Sequence, residues 1–538
     1  MPTTNDSFSH HPVPIQTLPI ITIQSTFSTV INEVYNGVIP SEDIWISCYD
    51  HSPSASRSSH SKVTVVLDEI DREKINLDTK EGDGSDLKMV EAAGLTNSYI
   101  VSLPSLSIPP VRLLTPVQEY ADPERSNTRR PHSVTTFAVA EDKSQLTTGF
   151  LDGSVYLYAI HPLPSSTSSS TKKYATSASY EPPRATYTTH RQTLISSPSM
   201  LTPKAHKSTV TSLRFFPSSR VILSSSADFS VQIYPADSLS PSLTPNMPAD
   251  KQSPRIPAVR SLIGHTRAVT STAILGRGRS IMTTSTDAMI RTWDVSKGEQ
   301  VPESVVRSAV GVNRMVFSEA AGDGGIETDG EEAKSSTSVL HGRLYCALQD
   351  GSFEVFQISP STDDSRPKTL FRSIRSPHGA LTAIAVSPSS SNKGGYLAVG
   401  TAGGVINIYK IPPQSSSAES DVLTQSLSNA ILKFRRSDAA IEDVSFVTLP
   451  NERIGLVIAT TDGLPWIAEL DYPHDESQDP GSGEDNHTGK VSIYAELTGG
   501  DVDPVRAVAV LGSGPENQSG VEVWTAGDDG IVRRYLAY

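Results

Sequence analysis

Residues 264–294 read GHTRAVTSTAILGRGRSIMTTSTDAMIRTWD, and the fold turns on them. Thr283, Ser285 and Asp287 alternate along one strand, so they point to one face. On that face two hydroxyls, the Asp287 carboxylate, the His265 ring and the Trp293 indole N–H are placed to form a buried hydrogen-bond network. The same residues could be taken for a catalytic dyad with an aromatic platform. A second copy of the frame upstream argues for a structural role instead: Ala205-His206, Ser224, Ser226, Asp228 and Tyr234, with Tyr in place of Trp.

Outward from there a small motif recurs: a strand, an Asp or Gly turn, then a strand ending in an aromatic. Asp152-Gly153 precedes Tyr158, Asp228 precedes Tyr234, Asp287 precedes Trp293 and Asp350-Gly351 precedes Phe356. Gly403-Gly404 precedes Tyr409, Asp462-Gly463 precedes Trp466 and Asp529-Gly530 precedes Tyr535. Asp152, Asp350, Asp462 and Asp529 suit tight hairpin turns whose central residues need positive φ. The flanking blocks are short and β-branched, such as Val155-Tyr156-Leu157-Tyr158 and Val405-Ile406-Asn407-Ile408-Tyr409. The one helical pattern is weak and lies near residues 419–434.

The GH…WD frame of residues 264–294 resembles the WD-repeat family, in which such a network locks each blade. The resemblance implies an all-β, seven-bladed WD-repeat β-propeller preceded by a small N-terminal domain. The repeat averages about 63 residues against the ~40–45 usual for such a blade, and low-complexity inserts account for the excess. These fall at about 161–205, 235–258, 319–338, 359–377, 411–430 and 471–490; they are Ser/Thr/Pro-rich or acidic and lack apolar surface to offset ordering. Residues 96–538 are assigned to the propeller. Residues 1–95 are assigned to the N-terminal domain, with strands near Pro19–Phe27, Ile44–Cys48 and Val63–Leu67. Because Ile531–Tyr538 reads as a third strand, the fourth strand of the last blade has to come from upstream, and the expected source is Tyr99–Leu114.

Composition narrows the function. The 538 residues carry a formal charge of −14, which disfavours coating nucleic-acid phosphates and favours a basic protein partner. Cys48 and Cys346 are the two cysteines, too few for a disulfide framework or a thiolate zinc cluster. The N-terminus lacks a basic region followed by an apolar stretch, and no run reaches the ~18 apolar residues of a membrane span. A soluble protein of the cytoplasm or nucleus is expected, monomeric when free. No phosphate-cradling Gly-rich loop with Lys, HExxH or G-x-S-x-G occurs, and His10-His11 alone makes no metal site, so no enzyme, cofactor or metal is expected.

Two stretches are similar to the WD-repeat proteasomal-ATPase-associated factors. One is Gly264–Ile274 with Arg277-Gly278-Arg279; the other pairs Glu496–Val505 with Asp529–Tyr535. That resemblance implies a non-enzymatic assembly chaperone for the base of the proteasome regulatory particle, holding the C-terminal domain of one proteasomal ATPase subunit. Asp501 and Asp503, in the loop before Pro504, are the first candidates for partner contact; turn capping by one of them is the competing reading. Asp438, Glu442 and Asp443 lie at the equivalent place one repeat earlier. Arg533 and Arg534 must face opposite sides of their strand, and Arg533 is the candidate for the same surface. Two other readings stay open: a scaffold or substrate receptor in a ubiquitin ligase or ribosome-biogenesis complex, and an enzyme that uses the central channel.

Overall fold

The computed structural model describes residues 13–51, 57–70, 74–79, 86–92, 97–122, 124–126, 129–163, 184–186, 191–197, 204–236, 254–319, 342–358, 367–388, 394–413, 419–472, 489–512 and 520–538. His10, His11 and nearly all of the acidic insert at 319–338 lie outside them. The described chain is mostly β, arranged in eight sheets. In seven of them an inner strand is followed outward by antiparallel neighbours in chain order. The inner strands are Val134–Val139, Val210–Phe215, Val269–Leu275, Val312–Glu319, Leu381–Val386, Ile441–Thr448 and Val505–Leu511. Each packs against the next, and the last packs against the first. We number these sheets one to seven. The architecture fits a WD-repeat β-propeller.

The inner strands share a device that the alternation pattern hid. All seven shift register at their second residue, a β-bulge. Bulges re-aim a side chain, and here five bulged residues reach the first backbone carbonyl of the next inner strand. Thr135 Oγ1 donates to Val210 O (2.6 Å), Thr211 to Val269 O (2.6 Å) and Thr270 to Val312 O (2.7 Å). Asn313 Nδ2 reaches Leu381 O (2.8 Å) and Thr382 reaches Ile441 O. These bonds join the starts of neighbouring strands, so all inner strands run the same way. Between sheets the interior is apolar, as where Leu223 and Val231 of sheet two meet Ile281 and Trp293 of sheet three.

The closing strand differs from expectation. Sheet seven is completed by Gln118–Ala121, antiparallel to Ile531–Leu536. Tyr99–Leu114 instead extends sheet six: Ile108–Leu114 pairs in parallel with Lys490–Leu497, and Ser98–Leu103 and Lys88–Glu91 follow outward. Gln-Glu-Tyr-Ala has little of the β-branched alternation that marks a strand in sequence. Its place is set by side chains of sheet seven: Arg534 donates to Gln118 Oε1 (2.8 Å), and Tyr120 lies 5.6 Å from the Trp524 ring.

Sheet eight comprises Ile20–Ile23, Ser41–Asp50, Arg57–Leu67 and Ile75–Thr79. It packs with an α-helix, Phe27–Tyr35, that buries Phe27, Val30 and Val34 and was not expected. Its buried face shares one core with Trp466 and Leu470 of sheet six rather than closing on itself. A buried ion pair anchors the contact. Arg436 grips Glu496 through two bonds (2.9 and 2.7 Å) and donates Nε to Pro19 O (3.1 Å), while Glu496 accepts the Ile21 N–H (3.3 Å).

Several low-complexity segments also end in regular structure. Gln192–Ile195, Arg255–Pro257 and Lys368–Arg372 are strands, and Glu419–Ser428 is a helix whose Leu423 and Leu427 are buried. Their polar composition conceals the few apolar residues that the neighbouring sheets cover.

Candidate partner-binding face

The network at residues 264–294 has the following geometry. His265 Nδ1 lies 3.0 Å from Asp287 Oδ2, and His265 Nε2 lies 2.8 Å from Thr283 Oγ1. Trp293 Nε1–H donates to the same hydroxyl (2.9 Å). One proton arrangement satisfies every group: indole N–H to hydroxyl, hydroxyl to Nε2, and Nδ1–H to carboxylate. Burial pushes the His265 pKa down, keeping the ring neutral. Burial also opposes charge on Asp287, but the Thr266 N–H, His265 and the Met289 N–H more than offset it, and its pKa falls. Ser285 works beside the chain of bonds, donating to Arg267 O (3.1 Å) and accepting the Asp287 N–H (3.0 Å). In sheet two, His206 contacts Ser224 Oγ (2.8 Å) and Asp228 Oδ2 (3.3 Å). In sheet one Arg125 replaces His, donating to Asp152, Ser154 and Tyr156.

These Asp residues also hold their turns by accepting the N–H two residues on: Ser154, Ser230, Met289, Ser352, Leu464 and Ile531. Four of these six turns place Gly at positive φ, as the Gly403-Gly404 turn of sheet five also does, while sheets two and three place Phe229 and Ala288 there (φ 73° and 63°).

Strand order divides the molecule into two faces. In each sheet the connection between second and third strands, and the one from the outer strand to the next inner strand, leave at one edge. First-to-second and third-to-fourth connections leave at the other. The long inserts at 164–190, 237–253, 320–341, 359–366, 389–393, 414–418, 473–488 and 513–519 all belong to the second class. Most connections at the opposite edge are shorter, those at 122–133 and 196–209 being the longest.

That short-loop face carries the first two candidates. Asp501 and Asp503 are exposed, flanking Val502 at 75% exposure, and neither has an ion pair among the described residues. The loop lies on Gly463, where any Cβ would strike the Val502 and Asp503 backbone (2.6 and 2.7 Å). Partial desolvation, with Asp529, Asp501 and Asp528 nearby, pushes the Asp503 carboxyl up while Arg533 opposes. Asp528 and Asp529 are paired with Arg506 and Arg533, so Asp501 and Asp503 carry the negative charge of this loop that has no ion pair among the described residues.

Arg533 is not a surface contact. It is 7% exposed and pairs with Asp529 (2.6 Å) and Glu119 (3.2 Å) beneath the 499–503 loop. Arg534 is likewise buried, paired with Glu522 (2.7 Å). Asp438 is exposed on the short-loop face and pairs with Arg435 (2.9 Å). Glu442 and Asp443 do not extend the patch as expected. Glu442 is the bulged residue of sheet six and binds Arg506, its counterpart in sheet seven (3.0 Å), which also grips Asp528 through two bonds (3.0 and 2.7 Å). Asp443 accepts the Val508 N–H (3.1 Å) and lines the central channel. Both therefore hold sheet six to sheet seven. The sequence reading missed Arg506 and Asp528. The signal was the repeated apolar-polar start of each inner strand, from Val134-Thr135 to Val505-Arg506.

The family profile described as WD domain, G-beta repeat matches residues 197–234 and 257–294. The chain carries WD repeats. Both matches contain a His-to-Asp network, at His206 and His265. Repeats of this kind generally build protein-interaction scaffolds. No curated protein matches the chain. Among the described residues no helix is long and apolar enough to cross a membrane.

Proposed function

We propose that the seven sheets are the blades of one WD-repeat propeller, and that the protein is a non-enzymatic chaperone for assembly of the proteasome regulatory particle base. On this reading it acts in the cytoplasm or nucleus, needs no cofactor, and its short-loop face holds the basic C-terminal domain of one proteasomal ATPase subunit. Residues from about 96 onward form the ring, with the N-terminal segment docked on blades five and six.

The observation that carries the reading is the pair Asp501 and Asp503, exposed and without ion pairs among the described residues, on the edge where the outer strand of one sheet leads to the inner strand of the next. Most other carboxylates of that face have a cation partner: Asp152, Asp350, Asp438, Asp528 and Asp529 each pair with an Arg. Complementary charge supports docking of a basic surface there.

The test is binding of the purified protein to the isolated C-terminal domain of each of the six proteasomal ATPases at low and moderate salt. Complexes with one or two, weakened by salt, are expected. Asp501→Lys with Asp503→Lys should weaken them while moving stability by less than ~0.5 kcal/mol. No complex with any of the six sinks the chaperone reading and favours a general scaffold.

A further inference from the structure

The inner strands enclose a central channel of about 710 Å³, within the range of small-molecule sites. Its wall is mostly uncharged, with large apolar side chains such as Phe137, Leu213 and Met315, and at the residue after the bulge stand Thr136, Ser212, Ser271 and Ala507. Sheets four and six break that pattern with Arg314 and Asp443, and Arg214 projects from sheet two.

Both arginines are aimed by the ring itself. Arg214 Nε donates to Thr272 O (2.6 Å) and Arg314 Nη1 to Thr211 O (3.4 Å). Their other N–H groups have no protein acceptor among the described residues and face channel solvent. Asp443 is the nearby counter-charge, but its oxygens already accept the Val444 and Val508 N–H groups (3.0 and 3.1 Å). Glu141 also lines the channel and Glu442 acts on Arg314, so the charges are close to balanced; what the wall offers a ligand is the remaining N–H groups of two guanidiniums that the ring holds in place.

We propose that the channel is a binding site for a small oxyanion, a phosphate or carboxylate group, held by Arg214 and Arg314. Guanidinium forks match the planar or tetrahedral oxygens of such groups. Asp443 competes with the ligand and limits its affinity. The site is independent of the outer acidic face.

The test is calorimetric titration of the full chain with sodium phosphate, and separately with sodium acetate, each against chloride at equal ionic strength. Binding of either anion is expected, and the stronger of the two names the ligand class. Arg214→Gln or Arg314→Gln should weaken it about tenfold or more, the contribution of a charge-assisted hydrogen bond. Asp443→Asn should tighten binding, a gain that a misfolded protein cannot mimic. The proposal is overturned if neither anion binds the wild type or Asp443→Asn, or if both arginine variants bind as the wild type does.

Discussion

Replacing Asp287 with Ala probes the one network that joins repeat, fold and family. The Asp287 and His265 side chains are 4% and 1% exposed, so the carboxylate cannot be replaced by bulk water without opening the sheet. Its loss strands the His265 Nδ1–H, a buried donor, at about 1–3 kcal/mol. The Thr266 and Met289 N–H groups also lose their acceptor (2.9 Å each). These lie nearer solvent, and together they add about 1 kcal/mol. The expected local destabilisation is therefore about 2–4 kcal/mol, confined at first to sheet three. A chain of many sheets need not unfold in one step, so a single melting temperature would blur the effect. Native-state hydrogen exchange resolves it: amides of Ser280–Ser285 and Met289–Asp294 should exchange roughly 30- to 1,000-fold faster, with sheets five and six unchanged. Wild-type protection in those strands would show that the carboxylate does not hold the blade.

Other perturbations follow from the same geometry. Arg436→Ala leaves Glu496 buried and unpaired, so a loss of about 3–5 kcal/mol is expected; limited proteolysis should then cut sheet eight first, and Glu496→Leu with Arg436→Met should restore resistance. An unchanged cleavage pattern would remove the pair as an anchor. Arg533→Gln should speed amide exchange across 499–503, because the guanidinium between Asp529 and Glu119 supports that loop; if exchange stays the same, the loop is held by Gly463 and its neighbours alone. Acid dependence has a definite sign. His265 has a folded pKa below its unfolded value of 6.5, so its contribution is complete above about that pH and is lost as pH falls below it. His265→Gln should flatten the fall in amide protection of Ser280–Ser285 between roughly pH 6.5 and 5, once the intrinsic exchange rate is corrected for, and an unaltered slope would assign the loss to other groups. Glu496 and Asp443 have raised folded pKa values and act in the opposite sense, which is why the comparison between variants, and not the raw slope, isolates His265.

Much of the site was legible because its parts are close in the chain. Thr283, Asp287 and Trp293 lie within one hairpin, and the Asp turns close over two residues. Glu442 and Asp443 misled for a physical reason. In sequence they are acids at the start of a strand, like any exposed loop; the bulge turns one toward Arg506 and the packing of the ring turns the other into the channel. Arg533 misled similarly, since strand alternation gives the side but not what covers it.

The recurring Asp turns, the β-branched runs and the His265 network were set by residues near one another in the chain, where spacing and side-chain chemistry suffice. Contacts between distant segments were decided by tertiary structure. Gln118–Ala121 became the closing strand because Arg534 and Trp524, more than 400 residues later, accommodate it. The docking of sheet eight depends on Glu496 meeting Ile21 across 475 residues. The loop of Asp501 and Asp503 shares an edge with the Asp turns only because the inner strands all run the same way. Each of these outcomes depends on which groups lose water together, and the linear order of the chain does not record that.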